Sequence, residues 1–553
     1  MACNSGDHKL DSVVTSWLKL DKNPETRKEV LDCIAGSQWD HLKKHMFGRQ
    51  KFGTAGLRGR MGAGFKCIND VVVLQTAQGL CSYVQKECTQ DQIKNGVVVG
   101  YDGRYNSKRF AELTAKVFIS QSIPVHLFSD VCPTPYISFA TILYGAAAGV
   151  MVTASHNPKE DNGYKVYYNN GCQIITPHDD NILEEILQCL DIPDEHWNID
   201  EIRTHELVKD CTDEVNRKYM EYIKESVPQP ALDNNKEAGI DFVYSAMHGV
   251  GYKFIREAFE IANLKDPISV PEQQDPNPDF PTVKFPNPEE VQCLELSQRL
   301  AEQHGVRLVL VNDPDADRLA VAEYDTSTWK IFSGNEMGAL LCWWLLRLSS
   351  GDPEDVYVLS SIVSTKMLKT ILGDRGHFAE TLTGFKWMGN ATLLLAKEGK
   401  RTLFAFEEAI GYMCSQRVPE KDGVSAAVQV ASLASFLYSK GSSLADKLQD
   451  LYVEFGCHVS YVNMGHVMIQ FPRPYLMPRI AIRVGTCILC CGQLFKPQYI
   501  PAVLGTGLDL EYTSGEMIIF RCSNGLRVTV RTSGTEPKIK YYSELVCDAK
   551  TKR

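Results

Sequence analysis

Short apolar runs that stop at polar, proline- or glycine-bearing loops recur along this 553-residue chain, with stretches of helical periodicity between them. That alternation is the pattern of α/β architecture. Residues 96–100 (Gly-Val-Val-Val-Gly) read as a strand, followed by an amphipathic helix near 109–120 and a strand at 124–128. A second cycle runs through a strand at 240–247, a helix at 252–263 and a strand at 306–311. A third has a helix at 335–348, strands at 356–363 and 402–406, and closing helices at 424–439 and 443–454. The three blocks look like successive units of one design, without a letter-for-letter repeat. A smaller C-terminal unit ends in a strand pair near 526–530 and 539–542. Asp275-Pro276-Asn277-Pro278-Asp279-Phe280-Pro281 is too stiff and helix-averse for an element interior, so it reads as a surface loop of the second unit.

At roughly 150 residues per domain this length suggests about four domains. The expected divisions are 1–210, 211–330, 331–456 and 457–553. A hydrophobic content of 44% with 23% charged residues is ordinary for a soluble globular protein. The polar start, Met1-Ala2-Cys3-Asn4-Ser5-Gly6-Asp7, lacks the order of a signal peptide, and no apolar run approaches the ~20 residues needed to span a bilayer. The 18 cysteines are scattered, mostly within apolar segments, and no CxxC pair repeats at zinc spacing, although Cys487, Cys490 and Cys491 cluster. They are expected to be reduced in a cytoplasmic protein. A net charge of −10 argues against bulk nucleic-acid binding and nothing points to a membrane, so any anionic ligand must be held by a local basic pocket.

Four loops carry candidate chemistry. Thr153-Ala154-Ser155-His156-Asn157-Pro158 follows the apolar run 149–152, so the Ser155 hydroxyl sits where a strand ends, and there ligands of open α/β sheets gather. A capping serine in an Asn-Pro turn is the bland alternative. Asn312-Asp313-Pro314-Asp315-Ala316-Asp317-Arg318 follows the strand at 306–311. Its three alternate carboxylates suit a divalent cation such as Mg²⁺, and Arg318 suits a phosphoryl oxygen beside it. It is no EF-hand, because Arg318 stands where glycine is required and Tyr324 where a bidentate glutamate is required. Arg531-Thr532-Ser533-Gly534-Thr535-Glu536-Pro537-Lys538 joins a guanidinium fork, hydroxyls and a glycine, a set that fits a phosphate dianion. In Phe406-Glu407-Glu408-Ala409, two carboxylates in an apolar run need donors, supplied either by sugar hydroxyls or by a salt bridge. Arg58, in a glycine-rich loop, and Lys386, at a strand-to-helix junction, add positive charge. Trp387 reads as core packing.

In this order T-A-S-H-N-P with N-G-Y-K, D-P-D-A-D-R, F-E-E-A-I-G-Y-M and R-T-S-G-T-E-P-K resemble the α-D-phosphohexomutase superfamily. Within it, Val270-Pro271-Glu272-Gln273, residues 381–390 and F-E-E-A-I-G-Y-M resemble the eukaryotic type-2 phosphoglucomutase branch, which includes phosphopentomutases and a glucose-1,6-bisphosphate synthase relative. The resemblance implies three similar mixed-sheet α/β domains plus a smaller α+β C-terminal domain around a central cleft. It implies a mutase that moves phosphate between the 1- and 5- or 6-positions of a sugar, through a phosphoserine and a sugar bisphosphate that also activates the enzyme. Ser155 is then the phosphorylated serine, with His156, Lys165 and Lys386 flanking the transfer, and either Lys165 or His156 managing the hydroxyl proton. Asp313, Asp315 and Asp317, with an oxygen on Ser155, match the ligands of one Mg²⁺. Arg58, Arg318, Glu407, Arg531, Ser533, Gly534 and Thr535 match contacts to the sugar phosphate, the implied partner.

Two departures stand out. Ala409 replaces a serine common in hexose-specific relatives, which moves the expectation toward pentose phosphates. Residues 464–507 contain no Asp or Glu, have Pro472, Pro474 and Pro478, and do not resemble the superfamily's fourth domain. A bisphosphate synthase and a non-catalytic sugar-phosphate sensor are the alternatives. The sequence carries no signal for oligomeric state.

Overall fold

The structure, a computed structural model, describes residues 3–54, 56–325, 327–466, 480–484, 487–491, 508–513, 517–522, 526–532 and 538–547. The chain forms two compact units, residues 1–362 with 372–445, and residues 363–371 with 446–553.

The larger unit contains three mixed sheets with one recurring plan. In the first, Val97–Tyr101 pairs in parallel with Ala148–Val152 and Val125–Leu127, and Asp161–Tyr168 returns antiparallel beside Ala148–Val152. In the second, Val243–Ser245 lies parallel to Leu308–Asn312, and Leu319–Asp325 returns antiparallel beside it. In the third, Val356–Ser361 is parallel to Arg401–Glu407, and Gly411–Met413 returns antiparallel. Every residue of Val97–Tyr101, Ala148–Val152 and Leu308–Asn312 is buried, as expected for strands covered on both faces. The three returns place residues 153–160, 313–318 and 408–410 at the carboxyl ends of parallel strands. Each of these loops contains one non-glycine residue in the left-handed region, Ser155 at φ 52°, Ala316 at φ 53° and Ile410 at φ 52°. The repeat invisible in the letters is therefore present in the backbone.

Several expected elements shift. The strand foreseen at 240–247 is only Val243–Ser245, because Met247 and His248 turn through positive φ of 47° and 59°. Three amino-terminal helices, His8–Leu20, Pro24–Ala35 and Trp39–Met46, precede the alternation and close over Leu10, Val14, Trp17, Val30 and Leu42. Asp7 and Asn23 cap the first two through N–H groups of their first turns. Trp387 is half-buried, while its neighbours Phe385 and Met388 enter the core. No helix among the described residues is long and apolar enough to cross a membrane.

The smaller unit is β-rich. Its five-stranded antiparallel sheet runs in the order Cys457–His466, Lys538–Cys547, Arg527–Thr532, Met517–Cys522, Leu508–Thr513. The expected strand pair is thus the centre of a larger sheet. Within 464–507, a hairpin of Ile480–Val484 and Cys487–Cys491 is described. The remainder beyond His466 lies outside the described residues.

Helix Gly334–Leu348 packs on helix Gly423–Tyr438 through Trp344, which is 2% exposed and donates its indole N–H to Gln429 Oε1 at 3.1 Å. Trp344→Ala is expected to destabilise the protein by about 3–5 kcal/mol, read as a lower urea midpoint with an unchanged slope.

Candidate active site

The Ser155 loop is fixed from beneath. Ser155 N–H donates to Thr153 Oγ1 at 2.8 Å, and the Thr153 hydroxyl donates to Asp102 Oδ2 at 2.7 Å. Ser155 is 2% exposed, and its hydroxyl donates to Asp313 Oδ2 at 2.8 Å while lying 3.2 Å from His156 Nδ1. The strand-end loops of the first and second sheets therefore meet at this oxygen.

Asp313, Asp315 and Asp317 are buried, and each offers an oxygen within 4.8 Å of the other two. Like charges about 4 Å apart repel by about 4 kcal/mol at an effective dielectric near 20, so three buried carboxylates need strong compensation. Lys165 supplies part of it, with Nζ at 2.7 Å from Asp315 Oδ2 and 2.9 Å from Asp317 Oδ2. The Thr134 hydroxyl donates to Asp315 Oδ2 at 2.6 Å, Lys421 lies 3.5 Å from Asp317, and Arg318 N–H donates to Asp313 Oδ1 at 3.0 Å. Burial opposes ionisation of Asp315, yet Lys165 outweighs it and holds that carboxyl well below the usual range. Asp313 behaves oppositely, pushed well up by burial and by the charges of Asp315 and Asp317.

The donor set fits a hard divalent cation. Asp315 Oδ1 and Asp317 Oδ1 are buried without hydrogen-bond partners, and the third carboxylate is the one that burial, then repulsion, keeps from ionising. Oxygens of this kind are what Mg²⁺ takes. Asp313, Asp315, Asp317 and the Ser155 oxygen are the residues that would hold it.

Further groups border the cluster. Arg58, on Leu57–Arg60, is half-buried, and its guanidinium has no hydrogen-bonded or ion-paired partner among the described residues. Asp315, Asp317 and Asp313 all act on it electrostatically. Arg318 approaches Glu289 at 3.5 Å and Asp317 at 3.8 Å. Burial, then Arg318 and Arg58, push the His156 imidazole well below its ordinary pKa, which leaves it neutral. Glu407 ends the strand Arg401–Glu407, and burial raises its pKa against the pull of Lys421 and Arg318. Its carboxylate has no ion-pair contact among the described residues, whereas Glu408 accepts from Ser361 at 3.0 Å. Lys386, second residue of helix Phe385–Lys397, donates to the Thr54 hydroxyl. Ser155, His156, Lys165, Arg58, the three aspartates, Arg318, Glu407 and Lys386 thus all belong to the larger unit. Arg531 belongs to the smaller one, where Nε and Nη2 donate to the Tyr542 hydroxyl at 3.3 and 3.1 Å. Ser533, Gly534 and Thr535 lie outside the described residues.

Sequence reasoning missed Lys421, Thr134, Asp102 and Arg104. Asp102-Gly103-Arg104 follows Val97–Tyr101 as the Ser155 loop follows Ala148–Val152, so the same strand-end signal was available. Lys421 sits in a polar turn between Gly411–Met413 and Gly423–Tyr438, and nothing in its letters separates it from a surface lysine.

Residues 49–190, 217–326 and 333–455 match domains I, II and III of phosphoglucomutase/phosphomannomutase, each described as alpha/beta/alpha. A phosphopentomutase of Homo sapiens is 44% identical, over 98% of this chain and 92% of that protein. A glucose 1,6-bisphosphate synthase of Homo sapiens is 41% identical, over 98% of this chain and 91% of that protein. A Paramecium pp63/parafusin (phosphoglucomutase) structure in open form shares the fold, with a TM-score of 0.66 at 18% identity over 92% of each chain. The chain belongs to the phosphoglucomutase/phosphomannomutase family.

An acid whose folded pKa is raised, as for Asp313, stabilises the fold while protonated, and that contribution is lost as pH rises through the raised value. The metal-free protein therefore loses stability at this site as pH rises from the ordinary carboxylate range through the raised value, where Mg²⁺ binding to the ionised set restores it. The Mg²⁺-induced rise in Tm is expected to grow across that range and to be absent in Asp315→Asn. An increment that shrinks with pH, or survives in Asp315→Asn, contradicts the metal assignment.

Proposed function

We propose that this protein is a phosphosugar mutase that moves a phosphoryl group between the 1-position and the 5- or 6-position of a sugar through a phosphoserine at Ser155. The contact of the Ser155 hydroxyl with Asp313, beside two buried carboxylate oxygens without hydrogen bonds, carries the reading. Family membership and the human relative named phosphopentomutase support it. We assign one Mg²⁺ per chain, sugar bisphosphate as intermediate and activator, sugar phosphates as ligands, and four domains divided as the sequence suggests. Among the described residues the thiols are free and mostly buried, which suits a cytoplasmic setting.

A bound divalent cation supplies charge neutralisation to the oxygens of the phosphoryl group in transfer. The sugar monophosphate presents a free hydroxyl to the phosphorus on Ser155. Its oxygen bonds to phosphorus, the Ser155 Oγ–P bond breaks, and the hydroxyl proton passes to a base. His156 is our choice over Lys165 on geometry, because its Nδ1 stands 3.2 Å from the Ser155 oxygen, whereas the Lys165 ammonium is pinned between Asp315 and Asp317. Lys165 holds the aspartates in register instead. Arg318 and Arg58 bind phosphoryl oxygens, Lys386 adds charge, Glu407 accepts sugar hydroxyls, and the Arg531 loop with Ser533, Gly534 and Thr535 takes the distal phosphate. The bisphosphate then turns end for end and returns its other phosphoryl to Ser155.

Treatment with a sugar bisphosphate is expected to add one phosphoryl mass to the intact protein, and Ser155→Ala to remove both the adduct and turnover, by about 10³-fold or more. An adduct that persists in Ser155→Ala refutes the assignment. Ala409 offers no hydroxyl to a hexose, so ribose-1-phosphate and deoxyribose-1-phosphate are expected to outperform glucose-1-phosphate. Ala409→Ser is expected to shift the kcat/KM ratio toward glucose-1-phosphate by about three- to tenfold, the worth of one hydrogen bond, and an unchanged ratio contradicts the specificity reading. A bisphosphate synthase is the second reading, favoured by the 41% identical human relative. Net formation of glucose 1,6-bisphosphate from a bisphosphorylated acyl donor, exceeding isomerisation, selects it.

A further inference from the structure

Arg104 lies under the Ser155 loop and is 5% exposed. Its Nη2 donates to the carbonyls of Ser155 at 2.5 Å and Asn157 at 2.6 Å, and its Nη1 to those of Pro158 at 2.8 Å and Asp161 at 3.2 Å. Nε stands 3.3 Å from Asp102 Oδ2, the carboxylate that also accepts from Thr153. One planar fork thus gathers three carbonyls of the loop and that of Asp161, which opens the strand after it, around a serine held at φ 52°, a conformation that L residues rarely adopt unless their surroundings impose it.

The fork has a lid of its own. The guanidinium lies 4.9 Å from the centre of the Phe280 ring, in the Pro/Asn-rich segment that the sequence marks as a loop and that no step of the transfer uses. Phe280 is 4% exposed and sits at φ 46°, a strained setting for an aromatic residue. The segment is tied down on both sides. Asn277 N–H donates to the His248 carbonyl at 2.9 Å. Asp279 accepts from the Tyr105 hydroxyl at 3.0 Å and pairs with Lys159, which follows Pro158, at 3.1 Å. Gly103 is required beneath it, since a Cβ there would stand 2.8 Å from Pro276 Cβ.

We propose that residues 276–281 are a strap whose Phe280 ring clamps the Arg104 fork, and that Arg104 is the positioning residue that keeps Ser155 in the left-handed conformation presenting its oxygen to Asp313. A charged group sealed between an aromatic face and four carbonyls cannot exchange them for water, so the serine oxygen keeps its aim through each transfer. The strap leaves sugar binding to other residues. The inference rests on the mutase reading for its consequence in turnover, and on geometry alone for its consequence in loop order.

Phe280→Ala, Phe280→Tyr and the wild type separate these. In Phe280→Ala, kcat is expected to fall about ten- to hundredfold with KM for the sugar phosphate within about twofold. Amide exchange of residues 153–161 is expected to accelerate while Val97–Tyr101 stays protected. Phe280→Tyr restores both. Unchanged exchange at 153–161 in Phe280→Ala overturns the strap whatever the turnover shows, as does a loss confined to KM. A wild type without turnover on any sugar phosphate overturns the mutase reading, and the exchange result still decides the strap. Should Phe280→Ala not fold, Tyr105→Phe, an exposed change that frees Asp279 on one side, is expected to reproduce the faster exchange and lower kcat in milder form. Wild-type behaviour there counts against the proposal.

Discussion

Three carboxylates at Asp313, Asp315 and Asp317, brought together out of water, constrain nearly everything around them. Their mutual repulsion is several times the worth of an ordinary hydrogen bond, and the fold meets it with cations drawn from distant parts of the chain. Lys165 reaches two of the three from the strand Asp161–Tyr168, and Lys421 reaches one from the turn before Gly423–Tyr438. The first and second sheets must therefore stay in register for the aspartates to be tolerated at all. The compensation is incomplete, and its remainder is chemically specific: two oxygens without hydrogen bonds, a third carboxyl held back from ionising, and an Arg58 whose guanidinium is without a partner among the described residues. A cation and a phosphoryl group together would complete it.

Repetition of one topological device brings these groups to one place. A parallel strand ends, the chain turns through a left-handed residue, and an antiparallel strand returns. The first such turn carries the serine, the second the aspartates, and the third Glu407 at its edge. The second turn is also stitched to the third, through Leu319 N–H donating to the Ile410 carbonyl, and to helix Gly423–Tyr438, through Gly423 N–H donating to the Ala316 carbonyl. An antiparallel return beside a buried parallel strand is a stable mount for such loops, because the strands beneath resist displacement.

Much of this was legible in the letters. Strand runs ending at Ser155, Asp313 and Glu407 are local patterns, and the chemistry of carboxylate triplets and basic loops follows from residue type. Boundaries erred where tertiary demands overrode pattern, as at 240–247, where Met247 and His248 leave the strand early to turn toward the Asp275–Pro281 segment. Lys421 and Thr134 escaped because their importance lies in reaching Asp317 and Asp315 across more than a hundred residues of chain, and no periodicity encodes that. Arg104 escaped because four of its hydrogen bonds go to backbone carbonyls, which have no letter. The amino-terminal helices are amphipathic and the first two are capped, yet they lie outside the α/β rhythm and so drew no attention.

The central claim is that one cation and one phosphoryl group share the Ser155–Asp313 junction. Electron–nuclear spectroscopy of the Mn²⁺-loaded, Ser155-phosphorylated protein tests it most directly. A resolved ³¹P hyperfine coupling, lost in Ser155→Ala, is the result that this arrangement demands. Mn²⁺ bound at full occupancy with no phosphorus coupling would place the ion and the serine in separate sites and contradict the account.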